Sequence, residues 1–562
     1  MPRGAADAGD DAIETHQAGK GAGRGRRLGA GGGLSAGLGS TSGGLRGRCN
    51  AQSNPFVYIF RPMRQVFHYI QGRPSAGQGP RRGEVYDPAS GQVQAQVPLG
   101  GAAELDQAIQ GALAAQPGWA ATSAQRRAQV LFRFKALIEQ HMERLASLLS
   151  SEHGKVLADA RGDIQRGLEV IDFVCGAPQL LKGEFSQGVG PGIDVWSMRQ
   201  PLGVVAGITP FNFPAMIPLW MLGPAIAVGN AFILKPSERT PSVAVELAVL
   251  LREAGAPEGI LNVVHGDREL VGAILAAPAI KAVSFVGSSD VAQHIYATAA
   301  AAGKRVQAMG GAKNHGLVLA DADLDLAVDG IVGAAFGSAG ERCMALPVVV
   351  AVGETTATAL RARLIAAIAA LRVGPPQDAR ADYGPVVTAA HKRRIEDYIA
   401  MGVAEGAELV IDGRGLVVPG YEAGFFLGPT LFDHVRSGMR SYQEEIFGPV
   451  LQMLRVATLE EGIALASHHH YGNGVALFTR SGEAARRFAE QVEVGMVGIN
   501  VPIPVPVAHY GFGGWKRSGF GDLNQYGTDS IRFFTRTKIV TQRWSGSPAA
   551  GSSFLIPTGR AD

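Results

Sequence analysis

The run Phe336-Gly337-Ser338-Ala339-Gly340-Glu341-Arg342-Cys343-Met344-Ala345 sets one cysteine beside an arginine in a stretch of small residues between apolar segments. A Gly/Ala backbone lets a reacting carbonyl come close, and a neighbouring guanidinium favours the thiolate over the thiol. The chemistry on offer is covalent attack by the Cys343 sulfur on an electrophilic carbon. The competing reading is an inert cysteine packed in a core, the ordinary fate of an isolated cysteine in apolar surroundings.

Three other segments carry polar groups at the ends of strands. Val204-Val205-Ala206-Gly207-Ile208 runs into Thr209-Pro210-Phe211-Asn212-Phe213-Pro214, which sets Asn212 at the carboxyl edge of a sheet, where doubly wound folds bind ligands. Its carboxamide can donate to an oxyanion, or it is simply a turn-forming Asn. Lys235 and Glu238 close another strand and open a helix after Pro236. So placed, an ammonium and a carboxylate hold ribose hydroxyls or form a solvated surface pair. Phe285-Val286-Gly287-Ser288 leads into a helix beginning near Asp290, and a helix N-terminus with a small residue and a hydroxyl seats a phosphate. There is no GxGxxG, and Gly266-Asp267 is at most a reduced version, so a dinucleotide requires a Rossmann variant without the usual fingerprint.

These groups need a scaffold, and the chain alternates. Helical patterns over 125–150, 241–254 and 290–302 are separated by short apolar strands at 204–208, 232–234, 261–264 and 282–286. After Cys343 the alternation resumes with a strand at 348–352, a helix at 355–370 and a strand at 475–479. Alternating strand and helix predict α/β domains with mostly parallel sheets, here two, joined near Gly310-Gly311. No internal repeat is visible. Residues 215–234 are almost uncharged and long enough to suggest a membrane span, but Pro218, Gly223, Pro224, Gly229 and Asn230 interrupt them. They read as a buried helix followed by a short buried strand.

Composition narrows the class further. At 562 residues the chain exceeds what one core usually organises, and 46% apolar with 18% charged residues is a globular balance. The three cysteines, Cys49, Cys175 and Cys343, are too far apart for a disulfide framework or a CxxC knuckle and suit a reducing compartment. A net charge of +3 gives no reason to expect a nucleic-acid partner. Residues 18–49 are Gly-rich with scattered arginines and no apolar periodicity, so the extension 1–60 is expected to be disordered. An RNA contact or a transit peptide are the alternatives there; Asp7, Asp10, Asp11 and Glu14 argue against the second and against a secretory signal. His468-His469-His470 has no carboxylate partner and points three ways, so no metal site is expected.

Taken with Glu444-Glu445-Ile446-Phe447-Gly448-Pro449, these motifs resemble, in order and approximate spacing, the aldehyde dehydrogenase superfamily over roughly residues 65–544. The resemblance implies an α/β aldehyde dehydrogenase fold: a Rossmann-like NAD-binding domain (61–178 and 200–311), an α/β catalytic domain (312–517) and a small β oligomerisation arm (179–199 and 518–548), with a flexible tail at 549–562. It implies Cys343 as nucleophile and Asn212 as oxyanion donor, with Thr209, Phe211, Lys235, Glu238, Gly266, Gly287, Ser288, Glu445 and Phe447 around NAD.

Four further segments narrow the resemblance: 154–163, 180–185, 307–315 and 500–506 are similar to the CoA-acylating methylmalonate-semialdehyde dehydrogenase branch. Hydrolytic members carry a glutamate before the Leu-Gly-Gly run to activate water, and here that position holds Ala308. Without that base the acyl-enzyme is expected to wait for the thiol of coenzyme A. Arg166 and Arg342 are the expected anchors for a substrate carboxylate, since a guanidinium suits it bidentately. The implied reaction is NAD-dependent oxidation of methylmalonate or malonate semialdehyde, decarboxylation, and transfer to CoA. The alternatives are a hydrolytic aldehyde dehydrogenase of another specificity and a non-catalytic relative. A homotetramer without nucleic-acid or membrane partners is expected, in the cytoplasm or, alternatively, the mitochondrial matrix.

Overall fold

The computed structural model describes residues 63–544, so the expected disordered extension 1–60 and flexible tail 549–562 lie outside the described residues. An eight-stranded sheet runs in the order Gly519–Phe520, Arg305–Met309, Ile280–Val286, Val204–Ile208, Ala231–Lys235, Leu261–Val263, His68–Ile70 and Arg73–Ser75. From Arg305–Met309 to Leu261–Val263 the strands are parallel. Val204–Ile208 and Ala231–Lys235 are buried throughout, because helices cover both faces and only continuous apolar runs suit such strands. From Val204–Ile208 the chain builds outward through Ala231–Lys235 and Leu261–Val263, then returns to place Ile280–Val286 on the other side. Strand order therefore reverses between Val204–Ile208 and Ile280–Val286, and a crevice opens outside their carboxyl ends.

A seven-stranded sheet has the order Glu408–Ile411, Thr430–Asp433, Val450–Val456, Val348–Val352, His315–Val318, Gly474–Phe478 and Met496–Ile499, parallel except for its first strand. Residues 310–314 connect the carboxyl end of Arg305–Met309 to the amino end of His315–Val318. Cys343 lies on the loop entering the amino end of Val348–Val352. Each large sheet carries its own apolar core.

Phe185–Gly190, Ile193–Pro201 and Thr535–Arg543 form a separate three-stranded antiparallel sheet. Of the stretch 518–548 expected in that arm, Gly519–Phe520 pairs instead with Arg305–Met309 at the edge of the large sheet, and Gly527–Phe533 is a helix. The predicted helix 125–150 is two helices, Ala124–Gln140 and Met142–His153, broken at His141 with φ −102° and ψ 14°. Both bury an apolar face in the same core, so the spacing runs across a break that no Pro or Gly marks.

Residues 215–234 form the wholly buried helix Met216–Ala227 and then enter the strand Ala231–Lys235. Among the described residues no helix is long and apolar enough to cross a membrane. The helix packs across Leu157–Cys175 at Gly167, where a Cβ would stand 2.5 Å from Leu219 Cδ1. At that close crossing Asp163 Oδ1 accepts from the Met216 N–H at 2.7 Å, just beyond the segment that carries Asn212.

Candidate active site

The Cys343 loop begins where the helix Leu324–Phe336 ends, in a tight turn whose Ser338, Ala339 and Gly340 all have positive φ, at 54°, 52° and 72°. Gly340 is needed twice over: its backbone is left-handed, and a Cβ would stand 2.2 Å from the Gly448 carbonyl oxygen. Two amide side chains then fix the cysteine's own backbone. Asn314 Nδ2 donates to the carbonyls of Cys343 (3.1 Å) and Ala345 (2.7 Å), and Asn473 Nδ2 also donates to the Cys343 carbonyl (3.1 Å).

Asn212 is buried, and its Nδ2 donates to the Glu341 carbonyl at 3.0 Å, two residues before the cysteine. A carboxamide has two N–H groups, so one ties the segment to the Cys343 loop and the other remains for a ligand in the cavity that Asn212 and Cys343 both line. The backbone of Asn212 is held in turn by Lys155, whose Nζ donates to the Asn212 carbonyl at 2.7 Å and to Asp163 Oδ2 at 3.2 Å. Lys155, Asn314 and Asn473 were not singled out from the sequence. The first two stand inside recognised segments, but their work is on backbone carbonyls far away in the chain, which no spacing reveals.

Three cavities meet here. The largest, about 780 Å³, lies in the crevice at the strand reversal and is lined by Thr209, Lys235, Glu238, Gly287 and Ser288, among others. It shares Gly287 and Ser288 with an inner cavity of about 230 Å³ that reaches Phe211, Asn212, Cys343, Glu445 and Phe447. On the other side of Cys343 a third cavity, about 240 Å³, is lined by Arg166, Arg342, Phe213, Trp220 and Phe512.

The nucleotide side fits a dinucleotide in its donor set. Lys235 Nζ and Glu238 Oε2 are 3.2 Å apart, Ser288 precedes the helix Ser289–Ala301 without capping it, and buried Thr209 Oγ1 has no hydrogen-bond partner. A buried hydroxyl without a partner is costly unless a ligand satisfies it. Gly266 lines none of these cavities: a Cβ there would meet Leu270 Cβ at 2.6 Å and the Gly100 carbonyl oxygen at 2.9 Å, so its smallness serves packing rather than a cofactor contact. Gly287 lines both nucleotide cavities and also makes room for the Phe285 ring.

Burial pushes the Cys343 thiol up to about 12, the Glu445 charge adds to the shift, and Arg342 opposes it only weakly. The arginines, moreover, are not free. Arg342 Nη2 is 2.7 Å from Asp159 Oδ1, and Arg166 donates to Glu169 Oε2 at 2.6 Å and to the Pro506 carbonyl at 3.2 Å. Burial works against an ionised Asp159, but Lys155 and Arg342 still hold its carboxyl below the usual range. Burial pushes Glu445 up to about 7 and Glu341 up to about 8. Buried Ala308 lies in a strand of the large sheet, paired with Phe285 and Phe520.

A cysteine between a crevice at the strand reversal and an arginine-lined pocket, on this pair of sheets, points to a class. Residues 75–540 match the aldehyde dehydrogenase family, and the chain belongs to that family. It is 56% identical over 497 residues to the malonate-semialdehyde dehydrogenase of Pseudomonas aeruginosa, covering 88% of this chain and all of that one. It is 48% identical to the mitochondrial, acylating methylmalonate-semialdehyde dehydrogenase of Arabidopsis thaliana, over 84% of this chain and 78% of the plant protein. Among solved structures, the methylmalonate-semialdehyde dehydrogenase of Oceanimonas doudoroffii superposes with a TM-score of 0.85 at 54% identity, covering 87% of this chain and 99% of that one. A Sinorhizobium meliloti protein solved with NAD, provisionally assigned the same activity, gives 0.86 at 56% identity, over 86% and 99% of the two chains.

Proposed function

We propose that this chain oxidises malonate and methylmalonate semialdehydes with NAD and delivers the decarboxylated acyl group to coenzyme A. The observation that carries the reading is the position of Cys343, which faces a dinucleotide-sized crevice through the inner cavity and two arginines on the other side.

The substrate carboxylate sits between Arg166 and Arg342, which places its aldehyde carbon against Cys343 Sγ. The thiol gives its proton to solvent as sulfur bonds to carbon, and the oxyanion so formed takes the second N–H of Asn212. A bound NAD would supply the hydride acceptor for that carbon; Lys235 and Glu238 would hold its ribose hydroxyls, Ser288 its phosphates, and Glu445 and Phe447 its inner end. Thr209, Phe211 and Gly287 complete the walls.

Collapse of the adduct leaves a thioester on Cys343. Its β-carboxylate departs as CO2, and the electron pair left on carbon is an enolate that Asn212 stabilises until a proton arrives. The thiol of CoA then adds to the thioester carbonyl, Cys343 leaves with a proton, and acetyl-CoA or propionyl-CoA is released. Ala308 offers no carboxylate to activate water, which keeps the thioester for the better nucleophile.

The arm supports a homotetramer, since Phe185 and Ile539 are 61% and 62% exposed on it and need a partner surface. Relatives from bacteria support a cytoplasmic location, with the mitochondrial matrix as the alternative. The test is substrate profiling of NADH formation in the presence of CoA. The reading expects malonate and methylmalonate semialdehydes to exceed uncharged aldehydes of equal length by about 10-fold or more in kcat/KM. Equal rates would refute it.

A further inference from the structure

The turn that carries Glu445 and Phe447 does not hold itself in place. Phe447 has φ 63°, a left-handed conformation that is costly for a non-glycine residue, so the turn needs outside partners. Arg394 donates to the carbonyls of Glu445 and Ile446, each at 2.9 Å, and the ring nitrogen of His391 meets the Phe447 carbonyl at 2.7 Å. These partners stand on the helix Ala389–Ala404 and line the inner cavity beside the turn.

From beneath, the turn rests on Lys313. This side chain is buried, and its Nζ donates to the carbonyls of Ser441 (2.8 Å) and Glu444 (2.9 Å). Burial pushes its ammonium down to about 7 against the opposing charges of Glu445 and Glu444, so an apolar side chain would be cheaper at this position. The residue before it, Ala312, donates its N–H to Glu445 Oε1 at 2.9 Å, and Gly311 gives that carboxylate room, since a Cβ would stand 2.5 Å from Oε2. The segment 311–313 thus fixes both the backbone of the turn and the carboxylate it presents. Lys313, Glu445, Phe447 and Cys343 also line one small cavity of about 20 Å³.

We propose that Lys313 is a positioning residue for the nucleotide side of the site: its bonds to the carbonyls of Ser441 and Glu444, in and at the end of the short helix that leads into the turn, keep Glu445 and Phe447 facing the cavity of Cys343. The inference rests on the crevice being the dinucleotide seat. Lys313 touches no reacting atom, so its loss changes cofactor affinity far more than the chemical step.

The test is NADH titration of the full chain by fluorescence for wild type, Lys313→Gln and Lys313→Met, with circular dichroism as the check on folding. Losing two charge-assisted hydrogen bonds in Lys313→Met weakens NADH binding about 10-fold or more, while kcat at saturating NAD stays within about 3-fold of wild type. Lys313→Gln, which still donates, recovers most of the affinity. A folded Lys313→Met protein with wild-type affinity overturns the proposal. If Lys313→Met does not fold, hydrogen exchange in Lys313→Ala, which also lacks the donor, decides: faster exchange confined to residues 444–448 supports it, and unchanged exchange there overturns it. Failure of the wild-type protein to bind NADH would overturn the dinucleotide reading itself, and the proposal with it.

Discussion

The two sides of Cys343 are built differently. On the nucleotide side, Thr209 Oγ1 is unpartnered, Ser288 leaves its helix uncapped, and Lys235 and Glu238 pair only with each other, so a ligand enters without displacing an established network. On the opposite side each arginine already has a carboxylate: Asp159 for Arg342, Glu169 for Arg166. A substrate carboxylate there gains only the difference between itself and the resident one. On the proposed reading, the nucleotide side would be preorganised to bind and the arginine side balanced to discriminate.

The largest expected effect falls on Asn212, which lines the inner cavity with Cys343. Asn212→Ala removes the oxyanion donor and lowers kcat about 10²- to 10³-fold, with NADH affinity by titration within about 3-fold of wild type. An unchanged kcat would mean that the oxyanion is held elsewhere. The thiol gives the next effect. With its pKa raised from 9.0 to about 12, Cys343 is almost wholly protonated at neutral pH, and its thiolate fraction grows tenfold per pH unit until the pKa is reached. Iodoacetamide labelling of the ligand-free protein, followed by mass spectrometry of the Cys343 peptide, should therefore rise about 100-fold from pH 7 to pH 9. A plateau below pH 8 would restore the thiolate that Arg342 was expected to provide.

The arginine side predicts smaller and more selective changes. Arg342→Leu lowers kcat/KM for malonate semialdehyde about 10- to 100-fold and for an uncharged aldehyde less than about 3-fold; equal losses on both would reduce Arg342 to a structural partner of Asp159. Glu169→Gln is the smallest. It frees Arg166 from a half-exposed pair and lowers KM for the carboxylated substrate by up to about 3-fold, read from initial NADH rates. A raised KM would show that Glu169 orients the guanidinium rather than competing for it.

The same contrast governs what the sequence makes legible. Strands 204–208 and 348–352 are readable to the residue, because a strand covered on both faces must be a continuous apolar run with polar punctuation. Thr209 and Ser288 are readable for the same reason, each standing where such a run stops. Arg342 is visible beside the cysteine, but Asp159 is 183 positions away, and only the fold reveals that the guanidinium is engaged. Lys313 and Asn473 escape notice because they bind carbonyl oxygens, which every residue has and no sequence pattern marks. Gly266, expected near the cofactor by resemblance, packs tightly against Leu270 and Gly100, a fit that the sequence does not mark.

The central claim is that the thioester on Cys343 waits for CoA because Ala308 supplies no base for water. The direct measurement is rapid-mixing NADH formation from malonate semialdehyde with and without CoA, with product analysis. The account predicts one NADH per site and then a stall without CoA, and steady turnover to acetyl-CoA with it. Sustained turnover to a free acid without CoA would contradict it.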